Sequence, residues 1–419
     1  MSDNASNGHT YFSPLEARAP MEREESLFIA LRGQLKNAVT NSAYWAQKLV
    51  DVDIEAVNDR EALANLPILS KSDLVELQDK TPLFGGIAPA NSDVRRVFFS
   101  PGPIVEPQPG GTDPWRMSSA LFAAGMRRGD VIANCFSYHL TPAGFMFDEA
   151  AANLGCVTFP AGVGNTETLV EAFNHFAISG YVGTPDFLQI ILEKAKSLGH
   201  DITSVKNALV SGGPLFPVMR DWYSAHGVNI KQCYGTAELG LIAYETGVAD
   251  NGMVIAENCI VEIVRPGTSD PVSAGEVGEV VVTTFDPHYP LIRFATGDLS
   301  AVLPGQSSCG RTNVRLKGWM GRADQTTKVR GMFVHPRQIA KIVKAFPEMG
   351  RARLEVSETH GKDQMTFICE LPQNDDAVME QIALSVRAEC RLRADIRIVP
   401  LNSLPNDGKV IEDRRAIGV

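Results

Sequence analysis

Long apolar runs are missing from the 419-residue sequence. No segment approaches the ~18 apolar residues that a bilayer crossing needs, which argues against a membrane span. C-x-x-C pairs are missing too, and the seven cysteines are scattered. An odd, dispersed set in a chain this long points to reduced cytoplasmic thiols rather than a disulfide framework. Positive charge is in deficit: 39 Lys and Arg stand against 49 Asp and Glu, a formal net charge of −10. Such a balance argues against broad binding to nucleic acid or anionic membrane, while leaving room for a local basic site. No internal repeat and no low-complexity tract occurs. The first twenty residues, "MSDNASNGHTYFSPLEARAP", contain no apolar h-region. They read as a loose N-terminal tail (residues 1–20) rather than a secretory signal.

What is present is ordinary for a globular protein: 44% hydrophobic and 21% charged residues. The length suits two or three domains. Helical spacing runs through Leu27, Ile29, Leu31, Leu35 and Val39, and Ser70 is an N-cap candidate before a second helix. From Arg95 to about Pro217 strand-like and helix-like runs alternate. "DVIANCF", "CVTFPAG", "YVG" and "NALVSGG" are the strands. The helices include one closed by Gly155, and one capped by Thr184 with Pro185 first and Gly199 just past its end. Such alternation implies a parallel sheet covered by helices. Residues 250–320 are strand-rich, as in a small antiparallel sheet or barrel. Beyond Gly321, "TKVRGMFVHP" reads as a strand in a compact α+β unit of roughly one hundred residues.

Four stretches carry chemistry. In "VNIKQCYGTAELGLIAYE", a strand feeds Tyr234, Gly235, Thr236 and Glu238. Ligands of parallel sheets bind at the carboxyl ends of strands. Tyr234 offers a planar ring, Gly235 a close backbone approach, Thr236 a hydroxyl and Glu238 an oxygen ligand for Mg²⁺. A turn with a surface glutamate is the competing reading. In "PLIRFATGDLS", Asp298 can bind both hydroxyls of a ribose, or simply sit in a Gly-Asp turn. In "GWMGRADQTTKVRGMFVHPRQI", Arg322 can reach a sugar or phosphate, Asp324 falls where a hinge would sit, and Gly331 permits close passage of a ligand. In "LPNDGKVIEDRR", Lys409 follows Asp-Gly near the carboxyl end, where a solvated turn is the ordinary expectation.

A fifth stretch, "VFFSPGPIVEPQPGG" (97–111), has the setting of a phosphate loop: a strand-like approach, a glycine-rich turn and a helix-like run. It has no lysine, and threonine appears only at Thr112. Pro101, Pro103, Pro107 and Pro109 each lack the N–H that would face a phosphate oxygen.

Taken in order, the four stretches resemble the adenylate-forming superfamily, in its phenylacetate–CoA ligase-like branch. The early "AVTNSAYWAQKL … LANLPILSKSDLVE" and the later "SGGPLFPVMRDWY" resemble that branch as well, so the likeness spans nearly the whole chain. It implies an α/β fold: a large N-terminal domain (21–321) of parallel sheet layers with a β-barrel-like subdomain at about 250–320, and a mobile α+β C-terminal domain (322–419). It implies ATP-dependent activation of a carboxylic acid as an acyl-adenylate, then transfer to the thiol of coenzyme A. On this likeness Tyr234 packs on adenine, and Ser211, Gly212, Gly213 and Pro214 wall the pocket. Thr236 contacts the α-phosphate, Glu238 holds Mg²⁺, and Asp298 binds ribose with help from Arg322. Asp324 matches the hinge, Gly331 the passage of the pantetheine arm, and Lys409 the catalytic lysine.

The chain departs from the branch in two places. The family's phosphate loop reads like "SSGTTGKPT"; here Ser100 and Gly102 survive and the threonines and lysine do not. A charge-assisted hydrogen bond contributes roughly 1.5–3 kcal/mol, so losing two or three weakens triphosphate handling while the AMP contacts remain. Relatives also carry cysteine and histidine residues that suit a metal. Here Glu245 is followed by Thr246, the first later histidine is His288, and only Cys309 remains, in "SSCGR". Zinc is therefore not expected, and Cys259 is expected as a buried strand residue.

The acid is expected beside Phe136, Tyr138, His139 and Phe145, whose rings favour an aromatic or aryl-acetic acid. A packed aromatic core, with His139 purely structural, is the alternative. The acceptor is coenzyme A on the first reading. On a second it is a carrier-protein thiol, an amine or an internal nucleophile. On a third the chain only binds adenylates. A homodimer is common in the branch, and a cytoplasmic location is expected.

Overall fold

The computed structural model describes residues 10–88, 94–246, 252–264, 269–323, 327–334, 336–359, 362–373, 376–404 and 411–415. The chain divides into two compact units, Met1–Gly321 and Arg322–Val419.

The loose tail expected over residues 1–20 does not hold for residues 10–20. A 3-10 helix at Pro14–Ala17 is closed by a capping box between Ser13 and Glu16. Glu16 is buried and ion-pairs with Arg311 at 2.6 Å. The Tyr244 hydroxyl donates to the same carboxylate at 3.0 Å. The buried charge pair fixes this segment in place of a solvated one. The next helix, Pro20–Asn41, buries Leu27, Leu31, Leu35 and Ala38, while Ile29 is 56% exposed. The inward stripe thus follows the three-to-four spacing of a helix, which leaves Ile29 on the outer side.

Strand β1 (Leu69–Ser70) runs straight into the helix Lys71–Lys80, whose Ser70–Asp73 capping box realises the expected N-cap. Strands β2 (Val97–Ser100) and β3 (Ile104–Pro107) then form a hairpin, pairing Phe98 with Glu106 and Ser100 with Ile104. Part of the stretch expected as a glycine-rich turn is therefore the strand β3, and the helix-like run expected after it begins at Ser118. Alternation puts Phe98, Ser100, Ile104 and Glu106 on the buried face of the hairpin.

The parallel region follows. Strands β4 (Val131–Asn134), β5 (Val157–Phe159), β6 (Gly180–Gly183), β7 (Asn207–Val210) and β8 (Asn229–Thr236) pair in the order β5-β4-β6-β7-β8. Helices Ala143–Leu154, Thr166–His175, Pro185–Ser197 and Pro217–Ala225 make the crossovers. Gly155 closes the first at φ +81, where a side chain would be strained. Pro185 starts the third, although Thr184 makes no side-chain cap bond.

The same sheet continues with antiparallel strands β9 (Gly240–Tyr244) and β10 (Met253–Ile255). Strands β11 (Cys259–Val264), β12 (Gly278–Thr284) and β13 (Phe294–Ser300) form a separate sheet with β1, in the order β1-β13-β12-β11. Strands β14 (Val302–Leu303) and β15 (Arg315–Leu316) return to the large sheet. The barrel-like subdomain expected at about 250–320 is thus split. Its strands serve two sheets, because β10 and β15 extend the free edge of β9. Cys259 is buried at the start of β11, as expected.

The second unit holds the hairpin β16 (Thr327–Val329) and β17 (Met332–Val334). The single strand expected there is broken by a two-residue turn at Arg330 (φ +48) and Gly331 (φ +82). Strands β18 (Ala352–Thr359), β19 (Lys362–Glu370), β20 (Asp395–Val399) and β21 (Ile411–Asp413) form a sheet in the order β20-β19-β18-β21. Its apolar core also takes residues from the helices Pro336–Ala345 and Asp376–Cys390. No helix among the described residues is long and apolar enough to cross a membrane.

Candidate active site

The site is assembled at the carboxyl ends of β7 and β8, where β13 and β1 also arrive. Strand β8 ends in Tyr234, Gly235 and Thr236, and its ladder with β9 is irregular between Tyr234 and Gly235. A Cβ on Gly235 would lie 2.6 Å from the Gly240 carbonyl, and one on Gly240 would lie 2.7 Å from the Trp115 carbonyl. Backbones are this close because Arg116 grips the turn, donating to the Leu239 carbonyl and, at 3.2 Å, to that of Leu241. The turn between β8 and β9 is therefore held rigid, with Glu238 inside it.

Tyr234 and Asp298 meet directly. The tyrosine hydroxyl donates to Asp298 Oδ2 at 2.8 Å, and Trp319 Nε1 donates to Oδ1 at 3.0 Å. A pre-set carboxylate of this kind suits a pair of ribose hydroxyls. Beside it, the Ser211 hydroxyl donates to the Cys233 carbonyl at 3.0 Å, and Gln232 donates to the Gly213 carbonyl at 3.2 Å. The turn through Ser211, Gly212, Gly213 and Pro214 is thus tied to β8. Thr236 Oγ1 accepts from the Leu239 amide at 3.3 Å.

Two residues that sequence reasoning missed complete the centre. Lys71 Nζ lies 2.9 Å from Glu238 Oε1, and the Glu238 side chain is 1% exposed. Burial works against the Glu238 charge, but the Lys71 ammonium and hydrogen bonds overcome it and hold the carboxyl below its usual range. Glu106, on the buried face of the hairpin, accepts from the Ser100 hydroxyl at 2.5 Å. Burial first, then the Glu238 carboxylate, push Glu106 from 4.5 up to about 8. Burial and these two carboxylates also raise the neighbouring Tyr289 phenol. Oε2 of Glu106 and Oε2 of Glu238 are buried and make no hydrogen bond. A divalent cation binds carboxylate oxygens of this kind, so Glu238 fits the Mg²⁺ role.

Lys71 carries no local signal: only the long-range pairing of Ser70 with Ala295 sets it beside the run that carries Thr296 and Asp298. For Glu106 the period-two alternation becomes a signal only once the hairpin register is known.

The aromatic group is only partly assembled as expected. Phe136 stacks on Phe147 at 4.9 Å, and Tyr138 meets Phe145 edge-on at 5.3 Å. Asn134 Nδ2 donates to the Tyr138 hydroxyl at 2.8 Å, and the Arg96 guanidinium lies 4.3 Å from the Phe145 ring centre. His139 stays outside, on an exposed turn. Ser100 ends β2, and Gly102 sits in the tight turn before β3. Arg322 opens the second unit, and Gly331 is exposed in the turn between β16 and β17. Asp324 and Lys409 lie outside the described residues. Cys309 is occupied by protein partners: Arg311 Nη1 lies 3.5 Å from its Sγ and Ser307 Oγ 3.1 Å. Glu245 pairs with Arg220 at 2.5 Å.

Residues 116–285 match the family described as AMP-binding enzyme. The chain is 26% identical to a phenylacetate–coenzyme A ligase of Thermus thermophilus over 389 aligned positions, covering 84% of this chain and 86% of the relative. It is 26% identical to the phenylacetate–coenzyme A ligase of Escherichia coli K12, covering 98% and 99%. Among solved structures, 2-hydroxyisobutyryl-CoA ligase with 2-HIB-AMP and CoA superposes at a TM-score of 0.86, with 22% identity and coverage of 100% and 95%. The amide bond synthetase McbA from Marinactinospora thermotolerans superposes at 0.56, with 14% identity and coverage of 93% of each chain.

Proposed function

We propose that this chain, which carries an AMP-binding enzyme domain and is homologous over most of its length to phenylacetate–coenzyme A ligases, is an acid–thiol ligase. It activates a carboxylic acid with ATP as an acyl-adenylate and passes the acyl group to coenzyme A. The observation that carries the reading is the contact of Tyr234, at the end of β8, with Asp298 on β13, next to the turn in which Lys71 holds Glu238.

The chain's own residues divide the work. Asp298, held by Tyr234 and Trp319, takes the ribose hydroxyls. The Tyr234 ring offers a surface to adenine, with the Ser211–Pro214 turn as a second wall. Thr236 faces the α-phosphate. Glu238 would hold Mg²⁺, which when bound would supply positive charge to a reaction that brings two anions together. Lys409 is the residue proposed to add a second positive charge there during adenylation. Asp324 and Gly331 are assigned to domain rotation and passage of the pantetheine arm, and Arg322 to the sugar.

The acid is proposed to be aromatic or aryl-acetic, from the ring cluster at Phe136, Tyr138 and Phe145. An adenylate-forming enzyme with an amine acceptor is the second reading. It is favoured by the rewritten phosphate hairpin and by the overall likeness to an amide bond synthetase.

The test is pyrophosphate release with ATP, Mg²⁺ and a panel of aryl and aliphatic acids, with and without coenzyme A. Thioester formation dependent on coenzyme A is the expected result. Adenylate without thioester supports the second reading. No turnover with any acid overturns both.

A further inference from the structure

The β2–β3 hairpin carries a carboxylate where the resemblance implies contacts to phosphate. Its buried face, Phe98, Ser100, Ile104 and Glu106, brings one acid into the interior. Glu106 is 1% exposed. The Ser100 hydroxyl satisfies its Oε1 and leaves Oε2 buried without a partner. Glu238 repeats the pattern: Lys71 holds Oε1, and Oε2 is buried without a partner. The helix Lys71–Lys80 links the two: Lys71 at its start holds Glu238, and Gln78 further along accepts from the Val105 amide at 2.8 Å and donates to the Val105 carbonyl at 2.7 Å, next to Glu106. Gln78 Nε2 also donates to the Tyr289 hydroxyl at 3.3 Å, and the Glu238 carboxylate acts on Glu106. An unsatisfied buried polar atom costs roughly 1–3 kcal/mol, and more when charged. Two such oxygens in one cluster are a poor way to build a core and a good way to build a ligand site.

Their chemistry selects the ligand. Hard divalent cations take oxygen ligands, and Mg²⁺ commonly binds one or two carboxylates, with water and phosphate filling the remaining places. Among the described residues no group of three or more His, Cys, Asp or Glu could hold a metal. A two-carboxylate site is the kind that leaves places open for phosphate. Lys71, with a side chain 27% exposed, reaches the cluster from its solvent side as an internal cation.

We propose that Glu106 and Glu238 together hold a divalent cation, with Glu106 as a ligand supplied by the hairpin, so that this chain binds its metal before any nucleotide arrives. The proposal rests on the adenylate-forming reading, in which Glu238 faces the cation. It also gives the hairpin a purpose. A turn without lysine, threonine or enough free amides grips phosphate poorly by itself, but a cation fixed on Glu106 grips it instead.

Mn²⁺ alone, titrated into the nucleotide-free full chain and followed by electron paramagnetic resonance of the free ion, tests this. One saturable site per chain is expected, weakened at least tenfold in both Glu106→Gln and Glu238→Gln. Lys71→Met should bind Mn²⁺ more tightly, because it removes the repulsion between the ammonium and the incoming cation and frees Glu238 Oε1. That variant decides the matter if Glu106→Gln fails to fold: tighter binding supports the site and unchanged binding overturns it. Binding only in the presence of ATP, or an affinity for Glu106→Gln within twofold of the parent, overturns it as well. Pyrophosphate release measured on the same samples separates the two ideas. A chain that releases pyrophosphate but binds Mn²⁺ only with ATP loses this site and keeps its proposed function. A chain that binds Mn²⁺ alone but activates no acid keeps the site and loses the function.

Discussion

Around Arg293 all five guanidinium donors are used. Nε and Nη2 each donate to Glu262 at 3.0 Å, Nη1 donates to the carbonyls of Ala64 and Leu66 at 2.7 and 2.6 Å, and Nη2 also reaches the Ser269 carbonyl at 3.0 Å. Around Lys71 the parts are similar, a cation and buried carboxylates, but two carboxylate oxygens are left over. Both clusters flank strand β13, which carries Arg293 just before its first residue and pairs with β1 just before Lys71. A saturated cluster has nothing left to bind and serves only to lock strands and loops together. An unsaturated one pays in stability and keeps its valence for a ligand. Burial alone does not tell the two apart; the count of satisfied oxygens does.

The largest expected effect breaks the saturated cluster. Arg293→Met takes from the buried Glu262 the partner that donates to both its oxygens and leaves three backbone carbonyls without their donor, a change that typically costs about 3–5 kcal/mol. Urea unfolding should report a loss of that size. Glu238→Gln, measured the same way, should fall within about 1 kcal/mol of the parent, since the amide oxygen still accepts from Lys71 and the lysine, 27% exposed, stays within reach of water. Equal losses in the two variants would erase the distinction.

Activity should reverse the ranking. Glu238→Gln should lower acid-dependent pyrophosphate release by about 10²-fold or more, the scale of one lost electrostatic contact to a transition state. A variant that keeps a tenth or more of the parent rate would place Glu238 outside the chemistry.

These two clusters also mark the limit of what the sequence discloses. The parallel region was legible because strands and helices alternate with clear caps at Gly155 and Pro185, each read from local chemistry. Tyr234, Glu238 and Asp298 were legible because they sit in short motifs at strand ends. Lys71 and Glu106 were not, because their partners are distant in sequence. Lys71 reaches Glu238 only through the parallel pairing of β1 with β13, a long-range register that no local pattern encodes. Glu106 looked like part of a degraded loop until the hairpin register turned it inward. The burial of Glu16 was hidden for the same reason, its partner Arg311 lying nearly three hundred residues away. The split of residues 250–320 between two sheets likewise depends on an edge supplied by β9.

A smaller effect follows from the titration of Glu106, measured with a chelator present. Its carboxyl is raised from 4.5 to about 8 in the folded chain. Between those values the unfolded chain has released this proton and the folded chain retains it, so the folded state binds more protons and stability falls as pH rises. Below 4.5 both states are protonated and the contribution is flat. Glu106→Gln has no proton to lose. Its stability relative to the parent should therefore grow steadily from pH 5 to pH 8 in parallel urea titrations. A constant gap across that range would mean that Glu106 is ionised in the folded chain at neutral pH.

The smallest expected effect concerns Tyr234, whose hydroxyl donates to Asp298 and whose ring is proposed to face adenine. Phenylalanine keeps the ring and removes the donor to Asp298 Oδ2, while Trp319 still holds Oδ1. One hydrogen bond contributes roughly 0.5–1.5 kcal/mol, so Tyr234→Phe should raise KM for ATP about three- to tenfold. The turnover number should change less, because a ribose on Asp298 would be held alike before and during the reaction and uniform binding leaves kcat alone. Tyr234→Ala removes the ring as well and should raise KM further. If Tyr234→Phe and Tyr234→Ala are equally impaired, the hydroxyl carries the whole contribution and adenine does not rest on this side chain. If Tyr234→Phe matches the parent, Asp298 is oriented by Trp319 and its own backbone, and the tyrosine acts through its ring.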